Sequence, residues 1–309
     1  MSRVLPTAIV LALLAATAVA FVITEGAKLE KSPIAGTKVT PLFSQNGVQH
    51  RTAHVQFRLR TRERLEAWIE DARGDRVREL QAARTFPRGA RLDLVWDGFT
   101  SSGIAEPDGV YMPVVKLLRS HRTIVLPSPI RIDTKPPVIT VRHPLYPLLS
   151  PDGDGRRDSF TVPYRINERA HGILSVRGGQ VEFTRSQKQT GELHWNGKLG
   201  KPPKAVLPGR YLLTVSAQDE AENRSKPFPF AIAQVRYLAL GRDRVVVRPR
   251  GKFALRVSTD YPSVQWKLRG RSGVQRTGTL HFRAPRSIGV FRLFITAGRH
   301  SAKCTVVVA

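Results

Sequence analysis

Cysteine is almost absent from this chain, which has 309 residues and a single thiol at Cys304. One thiol cannot form an intrachain disulfide, so packed hydrophobic cores must stabilise the domains instead of crosslinks. The same count excludes a zinc site that is built from several cysteines. The fold therefore has to rest on the burial of apolar side chains.

Motifs of known catalytic chemistry are missing as well. The sequence has no His-Glu-x-x-His, no Gly-x-Ser-x-Gly, no Gly-Lys-Ser/Thr phosphate-binding motif and no pair of spaced cysteines. The eight histidines are scattered, and no spacing places two of them on one metal ion. We therefore predict a protein that is not an enzyme and, apart from a candidate calcium site discussed below, has no cofactor.

Acidic residues are few. The chain has 24 Asp and Glu but 50 Lys and Arg, which gives a formal net charge of +26 and a pI near 11.3. Anionic lipid head groups, acidic wall polymers or nucleic acid would be attracted electrostatically and released by salt. The basic residues are spread along the whole chain without a dense block, so a solvated basic surface is the alternative interpretation.

The sequence contains one long apolar run, from Val4 to Thr24, which follows Met1-Ser2-Arg3. About twenty uncharged residues suffice to cross a bilayer as a helix. We predict a transmembrane anchor over residues 1–25, with the bulk of the chain outside the cytoplasm. Ala18-Val19-Ala20 also fits the small-residue rule for signal cleavage, so a cleaved signal stays an alternative. Residues 26–41 lack apolar periodicity and predict a stalk.

Beyond this segment, short β-strands are indicated throughout. Val55, Phe57 and Leu59 alternate with polar residues, as one face of a half-buried sheet requires. Polar turns at residues 71–74 and 178–179 predict hairpins. Many short strands with frequent turn signals and no helical periodicity predict an all-β fold of tandem β-sandwiches.

One pattern occurs twice along the chain. Trp96-Asp97-Gly98 followed by Gly109-Val110-Tyr111 returns as Trp195-Asn196-Gly197 followed by Gly209-Arg210-Tyr211. The repeated unit is roughly a hundred residues long, which is the size of one domain. The repetition predicts modules in series instead of one large fold.

Further residues carry a family resemblance. Ser150-Pro151-Asp152-Gly153-Asp154-Gly155, the Trp-Asp/Asn-Gly turn, the Gly-x-Tyr and the ending Asp219-Glu220-Ala221-Glu222-Asn223 together resemble the FlgD-type immunoglobulin-like module of the bacterial flagellar hook-cap protein. The resemblance covers residues 42–232 in two copies and implies small structural or adhesive β-sandwiches without enzyme activity. The first copy departs from the pattern, because Gln45 and Asn46 stand where the second has Pro151 and Asp152.

The predicted organisation has five parts. Two consecutive prolines, Pro136 and Pro137, cannot donate to a sheet ladder and mark a linker. The parts are an anchor (1–25), a stalk (26–41), two FlgD-like immunoglobulin-like domains (42–134 and 135–234) and a divergent third β-sandwich (235–309).

Large aromatic residues are predicted to be structural. Trp96 and Trp195 each end an apolar strand, so we expect core anchors and not platforms for a ligand. Tyr111 and Tyr211 fall at the position of a tyrosine corner, in which the hydroxyl bonds to backbone upstream. Trp266 is predicted to be the buried tryptophan of an immunoglobulin-type strand in the third domain.

One cluster has the composition of a metal site. Asp152, Asp154 and Asp158 lie within seven residues, and oxygen ligands of this density suit Ca²⁺. It is not an EF-hand, because Pro163 stands where a bidentate Glu is needed. If this strand pairs with the one that ends at Trp195, Asn196 lies at the same end and adds a fourth ligand. The alternative is a pair of Asx turns, in which Asp side chains accept backbone N–H groups.

These observations predict a membrane-anchored, extracytoplasmic structural or binding module whose cationic surface contacts acidic envelope polymer or anionic lipid. The alternative function is capture of nucleic acid or another polyanion at the cell surface. Nucleic-acid binding calls for a basic stripe interleaved with exposed aromatic residues. Here the aromatic residues fall mainly on core positions, so nucleic acid is the less favoured partner. The sequence does not indicate a protein partner.

Overall fold

A computed structural model describes residues 13–18 and 32–309, and residues 13–18 are helical. Within the described ranges, no helix is both long enough and apolar enough to span a bilayer. Most of the predicted anchor (residues 1–12 and 19–25) and the stalk up to residue 31 lie outside them. The chain divides into two compact units, Met1–Thr134 and Lys135–Ala309.

The first unit holds one β-sandwich, domain 1. Its strands are β1 (Ile34–Val39), β2 (Leu42–Phe43), β3 (Ala53–Leu59), β4 (Glu63–Glu70), β5 (Arg76–Phe86), β6 (Arg91–Trp96), β7 (Gly109–Leu117), β8 (Arg122–Val125) and β9 (Ile130–Ile132). In one sheet β3 lies between β1 and β6, and the other sheet has the order β2-β9-β7-β4-β5, with β8 also paired to β7.

Alternation of apolar and polar residues builds this core. In β3, Val55, Phe57 and Leu59 are buried, whereas the residues between them face outward. Asp71 starts the β4–β5 turn and its carboxylate accepts the backbone N–H groups of Arg73 and Asp75. The predicted hairpin is therefore present.

The second unit begins with domain 2. Its strands are β10 (Ile139–Val141), β11 (Leu148–Leu149), β12 (Phe160–Val176), β13 (Gly179–Phe183), β14 (Lys188–Trp195), β15 (Lys198–Leu199), β16 (Lys204–Ala205), β17 (Gly209–Gln218) and β18 (Phe228–Val235). The first half of β12 pairs with β10 and β14, and the second half of β12 pairs with β13 and β17. One continuous strand of 17 residues thus serves both sheets, where domain 1 uses β3 and β4.

Domain 3 completes the second unit. Its strands are β19 (Ala239–Leu240), β20 (Arg244–Val247), β21 (Lys252–Ser258), β22 (Ser263–Leu268), β23 (Arg271–Arg276), β24 (Gly278–Arg283), β25 (Gly289–Ala297) and β26 (His300–Val308). They form two sheets, with the orders β19-β21-β24 and β20-β26-β25-β22-β23.

All three domains share one strand plan. In each, a short early strand runs parallel to the last strand: β2 beside β9, β11 beside β18, and β20 beside β26. Domain 3 follows this plan although it lacks the Trp-Asp/Asn-Gly and Gly-x-Tyr motifs. The predicted all-β fold of tandem immunoglobulin-like sandwiches is confirmed.

Each domain has its own hydrophobic core. Trp96 and Trp195 are among the largest fully buried side chains of the first two cores. Cys304 is fully buried in the third core, and burial raises the pKa of its thiol. The thiol is thus shielded as a packed core residue, consistent with a fold that needs no disulfide.

Candidate functional sites

The first two domains each bury a tryptophan against a tyrosine. The ring centroids of Trp96 and Tyr111 lie 4.9 Å apart, edge to face. Those of Trp195 and Tyr211 lie 5.5 Å apart. All four side chains are at most 4% exposed, so none of them presents a ring to a ligand.

Hydrogen bonds hold these aromatic pairs in the same way in both copies. Each indole Nε1 donates to the backbone carbonyl oxygen three residues later, at 3.0 Å in domain 1 and 3.1 Å in domain 2. Each tyrosine hydroxyl donates to the carbonyl oxygen four residues earlier, at 2.7 and 2.8 Å. The pairs therefore close the loop between two strands, which is the structural duty of a tyrosine corner.

In each copy, a residue near the start of the repeat packs on the Trp-Asp/Asn-Gly turn. This residue is Gln45 in the first copy and Pro151 in the second. Gly98 (φ +81°) lies under Gln45, whose Nε2 donates to the Gly98 carbonyl oxygen at 2.6 Å. Gly197 (φ +67°) lies against Pro151, and an added Cβ would come within 2.3 Å of the proline Cγ. Gln45 thus covers the turn in the first copy as Pro151 does in the second. The first copy departs from the sequence pattern at Gln45, but the contact with the glycine of the turn is kept.

Trp266 is less buried than the sequence predicts. It lies on β22, which corresponds to β4 of domain 1, between the buried Val264 and Leu268. Its ring meets Phe282 edge to face at a centroid distance of 5.4 Å. Gly273 stands opposite on the edge strand β23, and the indole lies so close to it that an added Cβ would come within 3.0 Å of Nε1. The ring thus packs at the edge of the sheet and stays partly exposed.

The aspartate loop of domain 2 brings three carboxylates together. One oxygen each from Asp152, Asp154 and Asp158 lies within 4.8 Å of the others. Asp158 accepts the backbone N–H groups of Gly153 and Gly155 at 2.8 and 2.7 Å. Asx turns of the expected kind are therefore present, with Asp154 Oδ1 accepting from its own loop as well.

Among the residues that the structure describes, none donates a hydrogen bond to two carboxylate oxygens near this loop. Oδ2 of Asp152 and Oδ2 of Asp260 are both shielded from solvent. Asp260 belongs to domain 3, and its Oδ1 accepts from the Ser150 hydroxyl at 3.2 Å. Burial raises the pKa of Asp152, and the negative charges of Asp154, Asp260 and Asp158 also raise it. A cation would relieve this repulsion.

Asn196 lies at the end of the sandwich where the sequence places it, since its neighbour Gly197 packs on Pro151. Its Oδ1 accepts the backbone N–H of Lys198 at 3.2 Å. This bond stabilises the turn that Asn196 itself forms. Asn196 thus has a structural task whether or not it also serves as a ligand.

Calcium binding at Asp152, Asp154 and Asp158 stays a prediction. A site of millimolar affinity, as in extracellular modules, would raise the stability of the unit by about 1.4 kcal/mol at roughly 10 mM Ca²⁺. Differential scanning calorimetry of the full chain with Ca²⁺ and with Mg²⁺ measures this change. We expect Asp154→Asn to abolish the calcium effect and Asp71→Asn, in a turn of domain 1, to leave it intact. A melting temperature that does not respond to Ca²⁺ would leave the Asx turns as the sole role of the loop.

Sequence reasoning missed the contacts between domains 2 and 3. The Tyr237 hydroxyl donates to the Val206 carbonyl oxygen at 2.7 Å, and its ring stacks on His300 with centroids 4.1 Å apart. Arg156 donates from its guanidinium to the Asp260 carbonyl oxygen at 3.0 Å. The loop over residues 150–156, near the start of domain 2, therefore also contacts domain 3. No local pattern in the sequence predicts this contact.

The charge is less evenly distributed than the linear sequence suggests. Residues 235–309 contain 16 of the 50 Lys and Arg but only 2 of the 24 Asp and Glu. In this stretch, all of which the structure describes, no Lys or Arg forms a salt bridge. In domain 1, by contrast, Arg73, Arg76 and Lys116 pair with carboxylates. The cationic surface is thus concentrated and unneutralised on domain 3.

These features define a tandem immunoglobulin-like β-sandwich protein. No family model and no curated protein matches the sequence. Fibronectin(III)-like modules of CbhA from Clostridium thermocellum match 65% of this chain and 94% of their own at 11% identity, with a TM-score of 0.34. Three N-terminal domains of the outer capsid protein Hoc of bacteriophage RB49 match 88% and 99% at 11% identity, with a TM-score of 0.27.

A C-terminal 282-residue fragment of intimin, in complex with the intimin-binding domain of its translocated receptor, matches 70% of this chain and 69% of its own. The identity is 8% and the TM-score 0.33. All of these scores lie below 0.5, so the architecture rests on the sheets and cores described above.

Proposed function

We propose that the chain is a non-catalytic, extracytoplasmic binding and spacer module, held at the cell membrane by its N-terminal segment, whose cationic sandwiches contact acidic polymers of the envelope or anionic lipid. The observation that carries this proposal is the concentration of unpaired Lys and Arg on domain 3. Unpaired surface cations attract polyanions, and salt weakens that attraction. Three domains with separate cores follow one another along the chain, which is typical of a spacer module.

The membrane part of the proposal is supported by the apolar run from Val4 to Thr24, which is long enough for a transmembrane helix. Export is consistent with the lack of a reactive exposed thiol, since Cys304, the single cysteine of the chain, is fully buried.

Kinship of the first two domains with the FlgD-type module is part of the same proposal. Its support is that the motif residues act together in both copies. The Trp-Asp/Asn-Gly turn is covered by Gln45 in one and by Pro151 in the other. Each Gly-x-Tyr provides the hydroxyl that closes a neighbouring loop. A structural or adhesive role follows from that kinship.

Location is tested by protease treatment of intact producing cells. We expect cleavage in the linker around Lys135 and release of domains 2 and 3, with the N-terminal segment left in the membrane fraction. Full protection until the cells are lysed would contradict an extracytoplasmic location.

Binding is tested by co-sedimentation of the full chain with the insoluble wall fraction of the same cells. We expect retention at about 0.05 M salt and release near 0.5 M, as screening of surface charge predicts. Wall material with amidated acidic groups is the matched control and should retain nothing. Tighter binding to DNA, with a steep dependence on salt, would favour nucleic-acid capture instead.

A further inference from the structure

One end of domain 3 carries a groove of about 590 Å³ that is lined mainly by arginines. Strand β21 runs from this end toward Asp260, which contacts domain 2, so the groove lies at the end away from domain 2. We call it the arginine groove. Its five arginines are Arg250, Arg269, Arg271, Arg283 and Arg286.

Three loops of the same end form the groove and are tied to one another. The backbone N–H of Arg250 donates to the Pro285 carbonyl oxygen at 3.1 Å, and that of Ala284 donates to the Gly251 carbonyl oxygen at 2.9 Å. These bonds join the β20–β21 loop to the β24–β25 loop. The groove is therefore fixed before any ligand arrives, which lowers the entropic cost of binding.

The arginine at the β22–β23 turn is itself held in place. The Arg269 guanidinium donates to the Ser287 hydroxyl and lies over the Phe291 ring, 5.2 Å from its centroid. Arg271, Arg283 and Arg286 are exposed, and none of the described residues offers them a carboxylate within salt-bridge distance. One fixed guanidinium and three free ones thus face the same space.

Acidic residues are absent from this end of the domain. The two that domain 3 contains are Asp243, which precedes β20, and Asp260, which follows β21. Because β20 ends and β21 begins at the groove, both aspartates lie at the opposite end. No acidic side chain of domain 3 therefore offsets the repulsion among the five guanidinium groups at this end, and binding of an anion would relieve it.

We propose that the arginine groove binds the phosphate groups of an anionic polymer that carries no bases, such as a polyphosphate or a simple phosphodiester chain. This inference rests on the proposed binding of acidic polymers and assigns it to one site. Arginine is the cation best matched to oxyanions because its planar fork donates two parallel hydrogen bonds. Phosphate offers more acceptor oxygens than a carboxylate, so several arginines can share one group.

The lining of the groove disfavours two other ligands. Among the described residues that line it, none is aromatic, whereas single-stranded nucleic acid is held by stacking on aromatic rings. A membrane surface is broad and favours protruding apolar side chains. Ile288, 75% exposed, is the one exposed apolar residue in the adjoining 284–288 loop. A concave basic surface fits a linear polymer better.

The test compares two triple variants of the full chain with equal charge. The groove variant loses three guanidinium groups of the groove that form no salt bridge with a described residue, through Arg271→Gln, Arg283→Gln and Arg286→Gln. The control variant loses three exposed arginines from elsewhere in domain 3, through Arg242→Gln, Arg276→Gln and Arg299→Gln. All six are exposed, so both variants should keep the wild-type melting temperature.

Binding is measured by fluorescence anisotropy with labelled inorganic polyphosphate over a range of salt concentrations. For the groove variant we expect on the order of tenfold or more weaker binding and a salt slope smaller by about two. For the control variant we expect less than about threefold weaker binding. Polygalacturonate, oligothymidylate and phosphatidylglycerol vesicles should each bind the wild type more weakly than polyphosphate does.

Equal losses in the two variants would overturn the arginine groove as the site and leave the proposed binding of acidic polymers intact. Equal or tighter binding of polygalacturonate, oligothymidylate or the vesicles would overturn the choice of a base-free phosphate polymer. Absence of binding to every polyanion at low salt would overturn the proposed function together with this inference.

Discussion

Replacement of Trp195 by alanine is expected to lower the free energy of unfolding of the second unit by about 3–5 kcal/mol, as truncation of a buried tryptophan generally does. The indole is 1% exposed, packs against Tyr211 and donates to the Lys198 carbonyl oxygen. Its loss leaves a cavity that the two sheets cannot close. Since a domain is stable by only about 5–15 kcal/mol, the variant is close to unfolding.

Urea denaturation followed by circular dichroism measures this loss, and pulse proteolysis locates it in residues 135–234. Tyr146→Ala is the matched control, because that aromatic side chain is 70% exposed in the same domain. The control should stay within about 0.5 kcal/mol of the wild type. A loss below about 1 kcal/mol for Trp195→Ala would contradict its assignment as a core anchor.

Replacement of Gly197 by alanine should lower the free energy of unfolding by about 2–5 kcal/mol, for two reasons that add. The positive φ of +67° is unfavourable for any residue with a Cβ, by roughly 1–2 kcal/mol. The new Cβ would also lie 2.3 Å from Cγ of Pro151, and overpacking of this kind costs about 1–3 kcal/mol.

Gly178→Ala separates the two causes. Gly178 has φ +80° in the β12–β13 turn, and no atom of the described residues outside its immediate neighbours lies within 4 Å of an added Cβ. It therefore reports the backbone cost alone. In the Gly197→Ala background, Pro151→Gly should recover part of the stability, since it removes both Cγ and Cβ of Pro151, which lie 2.3 and 2.6 Å from the added Cβ. Equal losses for both glycines, measured by urea denaturation, would show that Pro151 does not hold the turn.

Residues whose environment is set within one repeat could be predicted from the sequence. Alternation alone predicted the buried face of Val55, Phe57 and Leu59, which the structure confirms. The two motif tyrosines, Tyr111 and Tyr211, also do what their position indicates. In these cases a few neighbours along the chain decide which side of the sheet a side chain occupies.

Features that depend on distant residues could not be predicted. Trp266 lies on the expected strand, but its partial exposure follows from its place beside the edge strand β23, where it packs on Gly273. The stacking of Tyr237 on His300 joins residues 63 positions apart in the chain. The periodicity of apolar residues along the sequence does not predict such a contact. The excess of Lys and Arg over Asp and Glu on domain 3 is found only when charges are counted separately for each domain.

The parallel pairing of an early strand with the last strand determines how these domains resist tension. When the two ends of a domain are pulled apart, this pair is loaded along its length, and its hydrogen bonds must break together instead of one after another. In domain 1 the parallel pair β2–β9 contains two residue pairs, and in domain 2 the parallel pair β11–β18 also contains two. Domain 3 places four there, β20 with β26, so it should be the last of the three to rupture.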